Sequence, residues 1–126
     1  VLGSATAIDL ATASAGDVHA IYTMPVGVRH VVTKVIMIAT SYNPGITPID
    51  PILSIGTSGG AYDGIIETAT ASWGAGGAGG QAVYFDADQG AATPNATDTI
   101  SMQIDAPEAG TFGALVVDVF VIGFEL

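Results

Sequence analysis

Between Asp98 and Asp105 the chain reads DTISMQID, and apolar and polar side chains alternate without a break. Ile100, Met102 and Ile104 fall on one side, and Thr99, Ser101, Gln103 and Asp105 on the other. A period of two is the repeat of a β-strand, whose successive side chains leave opposite faces of the backbone. The segment therefore predicts a strand with one face in a core and one in water. The rhythm recurs in DVHAIYTMP, residues 17–25. There Val18, Ala20, Tyr22 and Met24 are expected inward, Asp17, His19 and Thr23 outward, with Ile21 the single residue out of phase. No window repeats apolar residues at three-and-four spacing between capping residues, so no helix is expected.

Six further segments read as strands: 6–12, 29–40, 51–56, 63–70, 81–86 and 111–126, making eight with the two above. Between them lie turn-rich stretches such as PVG, SYNPGITPID, TSGGAYD and ADQGAATPNA. Many short strands joined by glycine- and proline-rich connections predict an all-β sandwich, a single domain over 1–126. The two longest strands, 29–40 and 113–126, are apolar on both faces, which places them centrally rather than at a sheet edge. An eight-stranded antiparallel jelly roll does this with sheets ordered 1-8-3-6 and 2-7-4-5, making strands 3 and 8 neighbours. Lys34 and Asp118 interrupt those two apolar runs; either they form an ion pair, since a lone buried charge is costly, or both point to solvent or to a partner surface.

Charge narrows the range of partners. Twelve acids against two bases give a formal charge of -10, with Arg29 and Lys34 the only fixed cations. A phosphate backbone would be repelled at contact range, so no nucleic-acid partner is expected. The chain is 49% hydrophobic, unlike a disordered acidic tail, and should fold. Its longest apolar run is short of a membrane span and carries Asp118, so no membrane partner is expected. No basic stretch followed by an apolar core opens the chain, so no signal peptide is expected there. With no cysteine, neither a disulfide framework nor a thiolate metal site is available.

Reactive constellations are scarce. Gly74, Gly76 and Gly79 match the spacing of a dinucleotide loop, but no buried strand precedes them and no helix period follows. DADQG at 86–90 resembles the start of a calcium loop through Asp86 and Asp88, yet Thr97 stands where a bidentate glutamate is needed. A solvated acidic turn, or a loose cation site shared with another chain, are the readings left. His19 and His30 lack a marked serine partner; Ser54 and Ser58 lie in SIGTSGG, a strand end and turn, so both histidines read as surface or interface side chains. Glu67, Asp86 and Asp105 have no spacing that selects a glycosidase pair. The NAT sequon at 95–97 matters only in a eukaryotic secretory pathway. Trp73, the only tryptophan, is open to three roles: a sugar-stacking platform, an interface anchor, or a lid over the end of the sandwich. No cofactor and no enzymatic activity are expected.

The run YTMPVGVRHVVTKVIMIAT, then ILSIGTSGGAYDGIIE with its S-I-G-T turn and Tyr62-Asp63-Gly64-Ile65 step, and the closing FGALVVDVFVIGFEL carry a likeness. Over about three-quarters of its length the chain resembles the small β-sandwich capsid decoration, or cement, proteins of tailed bacteriophages. The resemblance implies a homotrimer without a catalytic site, on the outer capsid surface of a virion, bound to the major capsid protein. Several simultaneous contacts make detachment slow without any one strong interaction. Val1 and Leu2, in a possible N-terminal arm over 1–5, and Trp73, Gly76 and Gly77 at the glycine loop are the expected interface residues. A carbohydrate-binding or host-attachment module of a tail or fibre on the same fold is the alternative.

Overall fold

The computed structural model describes residues 1–43, 50–58, 62–73, 81–88, 97–107 and 114–126. Gly76 and Gly77 lie outside them. The described strands are β1 (Gly3–Asp9), β2 (Val18–Thr23), β3 (His30–Asn43), β4 (Ile52–Gly56), β5 (Ile66–Thr70), β6 (Ala82–Asp86), β7 (Thr99–Ala106) and β8 (Ala114–Glu125). They form two four-stranded sheets, ordered β1-β8-β3-β6 and β2-β7-β4-β5, with every neighbouring pair antiparallel. No α-helix occurs among the described residues. As expected from their apolar faces, β3 and β8 are neighbours in the middle of one sheet.

The core lies between the sheets. Val35, Met37 and Ala39 of β3 and Leu115, Val117, Val119 and Val121 of β8 meet Leu53, Ile55, Ile100, Met102 and Ile104 from β4 and β7, all at 0% exposure. Ile100, Met102 and Ile104 are thus the inward residues that the alternation predicts. Burying side chains of this size contributes roughly 1.5–3 kcal/mol each relative to exposure, which makes the core the main stabilising term. Gly56 ends β4 where the chain doubles back. A β-carbon there would lie 2.6 Å from the Gly64 amide nitrogen, so the S-I-G-T turn closes only around a residue without a side chain.

Bulges account for most departures from simple alternation. In β2, Ala20 faces Ser101 and Tyr22 faces Ile100, so Ile21 is an inserted residue. One extra residue reverses the phase of everything before it. Val18 and Ala20 therefore turn outward and His19 inward, the reverse of the expected orientation, while Tyr22 and Met24 keep theirs. In β3 the ladder slips at Thr33 and Thr40, and the strand runs on to Asn43 with Tyr42 buried. In β1 it slips between Ala5 and Ile8, where Ala7 adopts φ 56°.

The N-terminus also differs from expectation. Gly3, Ser4 and Ala5, expected in an extended arm, pair with Val121, Phe120 and Val119, and the Leu2 amide donates to the Val121 carbonyl at 2.8 Å. Strand β8 would otherwise present an unpaired edge, so the segment is taken up in its own sheet. At the other end β1 stops at Asp9, short of Thr12. The Asp9 carboxylate accepts from the Ala11 amide and the Thr12 hydroxyl, and this Asx turn ends the strand.

Candidate interaction surface

The two outer faces of the sandwich differ in kind. On the β2-β7-β4-β5 sheet the outward residues of the central strands are mostly small or polar, Ser54, Gly56, Ser101, Gln103 and Asp105, with Ile52 at one end of β4. The Ser54 hydroxyl, itself buried, donates to the Asp105 carboxylate. On the β1-β8-β3-β6 sheet the central strands send out Ile36 and Ile38 from β3 and Val116, Phe120 and Ile122 from β8, all half-buried. Tyr84 of β6 and Phe124 of β8 extend this face and are 66% and 53% exposed. A sheet with one face in water shows polar residues there, so a run of branched and aromatic residues makes this face the candidate for contact. The apolar character continues to one end of the sandwich, where Leu126 (66% exposed) bonds through its amide to the Arg29 carbonyl.

Two charges flank the apolar strip. The Lys34 ammonium lies 3.3 Å from Asp86 Oδ1 and 4.9 Å from the centre of the Tyr84 ring. The expected partner, Asp118, is on the adjacent strand and the same outward face, but out of register: Lys34 sits opposite Ile122 and Asp118 opposite Ile38. Four residues of strand separate them along the ladder, about 14 Å, beyond reach of an ion pair. The expected Lys34–Asp118 pair is therefore replaced by Lys34–Asp86 on the other neighbour. Asp118 Oδ1 accepts the Ala7 amide at 2.9 Å, a donor that the β1 bulge removes from the ladder.

The remaining predicted residues fall in varied places. Val1 is 77% exposed and Leu2 half-buried against the core, at the end of the sandwich where Phe124 lies. Trp73 is 1% exposed, and its carbonyl accepts the Tyr42 hydroxyl at 2.7 Å. A ring so enclosed serves neither as a sugar platform nor as an interface anchor; Trp73 closes the core. Asp88 Oδ2 accepts the Glu67 amide at 2.7 Å, so one oxygen of that carboxylate is committed to the start of β5. Among the described residues no group of three or more His, Asp or Glu could hold a metal ion.

The histidines lie on different sheets. His30, expected at the surface, is 4% exposed, stacks on Tyr22 with ring centroids 5.7 Å apart, and holds Nε2 3.9 Å from Glu125. Its Nδ1, like His19 Nε2, is buried without a hydrogen-bond partner among the described residues. Neither ring is hydrogen-bonded to a serine there. Sequence reading missed Tyr42, placed in a turn by the neighbouring Asn-Pro-Gly, and the outward apolar residues as a single face. The signal for the second was the double-sided apolar character of β3 and β8, which gives those strands an apolar outward face. Comparison with protein-family models, with curated proteins and with solved structures found no match.

Proposed function

We propose that this protein is a virion structural protein of the capsid decoration type. It binds the outer surface of a tailed-phage shell through the major capsid protein, and it stabilises the shell by many weak contacts rather than by chemistry. The observation that carries this reading is the apolar outer face of the β3–β8 ladder in a chain whose few charges are mostly acidic. Such a face has no use in an isolated monomer, and aromatic and branched residues of this kind form the core of protein–protein contacts. The strand orders agree with those of a jelly roll, which supports that finer description of the sandwich. Burial of Trp73 favours the shell reading over a sugar-binding module, because the one tryptophan has no exposed ring to stack on a glycan.

The test is co-sedimentation of the purified chain with undecorated phage shells, with a glycan array in parallel. Saturable shell binding, together with a shell that then resists higher temperature, is the expected result. Selective glycan binding without shell binding would refute the reading.

A further inference from the structure

We propose that the outer face of the β1-β8-β3-β6 sheet binds a second copy of this chain. The two-fold axis passes between Ile36 and Phe120, and Lys34 of each copy meets Asp118 of the other. This presupposes that the face is a contact surface, as read above, and names its occupant.

Register supplies the reason. Across the β3–β8 ladder Lys34 is opposite Ile122, Ile36 opposite Phe120, and Ile38 opposite Asp118. The cation and the carboxylate thus stand at diagonal corners of a rectangle whose other outward positions are apolar. A two-fold axis lying in the interface and bisecting that diagonal of about 14 Å exchanges the corners, so each ammonium lands on the partner's carboxylate. Ile36 and Phe120, beside the axis, each pack near their own symmetry mates. The same operation crosses the two sets of strands at about 40°, near the value of about 30° for aligned stacked sheets.

The position of Lys34 favours a second copy despite the net charge. At a formal charge of -10, two copies repel over most of their surface, and Lys34 is one of only two fixed cations. It stands on the apolar face, at the corner that the two-fold gives to Asp118. Lys34 leans toward β6 and Asp118 toward β1, which leaves the apolar centre clear and puts the charges at the rim. In the dimer Lys34 lies between its own Asp86 and the partner's carboxylate.

Four strands about 4.8 Å apart and about 20 Å of paired length give a flat face of about 400 Å² per copy. That is about half the surface each partner gives to a standard interface, so association in the micromolar range is expected. Sedimentation equilibrium over a concentration series from about 1 μM to about 1 mM covers that range. Twice the chain mass at the upper end is expected. Lys34→Glu and Asp118→Lys should each weaken the dimer about tenfold or more, because each turns two attractions into two repulsions. Mixing those two variants should restore a one-to-one heterodimer, since each introduced charge then faces its opposite. A role confined to one chain could not give that rescue. Ile36→Lys, beside the axis, should abolish the dimer, and Asp86→Asn, which frees Lys34, should tighten it.

A monomer at the highest concentration, or the trimer that the family resemblance implies, would overturn the two-fold arrangement. So would a mixture of the charge variants that fails to recover the dimer. Shell co-sedimentation is scored separately. Shell binding by a monomer or trimer keeps the proposed function and ends this inference, whereas a rescued dimer that ignores shells does the reverse.

Discussion

Tyr42→Phe probes the one buried hydroxyl that ties the end of β3 to Trp73. Tyr42 is 8% exposed, and its hydroxyl donates to the Trp73 carbonyl at 2.7 Å. Phenylalanine keeps the ring and its packing and deletes only the donor. The lost bond contributes about 1 kcal/mol, and the stranded carbonyl adds a desolvation cost of about 1–3 kcal/mol, so a loss of about 2 kcal/mol is expected at pH 7. In urea that should lower the midpoint by about 1 M. Fluorescence of Trp73, the only tryptophan, reports the transition. The pH dependence gives a second readout. Burial, and after it the Asp50 carboxylate, pushes the Tyr42 phenol above its ordinary value of 10.0. In the unfolded chain that phenol ionises near pH 10, whereas in the fold it keeps its proton to higher pH. The native state therefore binds more protons in that window, and stability falls as pH rises from about 10 through the folded value. Tyr42→Phe removes this contribution, so the difference between variant and parent should narrow above pH 10. A loss below about 0.5 kcal/mol at pH 7, or a difference that stays constant into alkali, would refute the reasoning.

Two further substitutions test how the apolar sheet is held. A β-carbon on Gly123 would lie 2.0 Å from the Val31 carbonyl oxygen, so Gly123→Ala must push β8 from β3. A loss of about 3 kcal/mol in urea unfolding is expected, and a neutral variant would contradict the close approach. Asp118→Ala strands the Ala7 amide in the β1 bulge and should cost about 1 kcal/mol, with faster hydrogen exchange at Ala7. Asp118→Asn keeps an acceptor and should retain most of that stability; equal losses in both variants would point to charge instead.

Much of the architecture was legible locally. The unbroken alternation of DTISMQID places Ile100, Met102 and Ile104 inward. The double-sided apolar runs place β3 and β8 at the centre of a sheet, since an edge exposed to water would not carry them. Of the candidate contact surface, its members were visible and its unity was not: Ile36, Ile38, Phe120 and Ile122 are apolar in the sequence, but only the pairing of β3 with β8 brings them together.

Side-chain rhythm depends on neighbouring residues alone, so this chain carries its strand content and its central strand pair in local pattern. Tertiary structure decided the rest. It made Ile21 a bulge that turns His19 inward, gave Lys34 to Asp86 instead of Asp118, and enclosed Trp73 under the Tyr42 hydroxyl. A slip of one residue in a ladder reverses the side chains on one side of it, and which slip is adopted depends on packing across the whole sandwich. No segment read alone contains that sum.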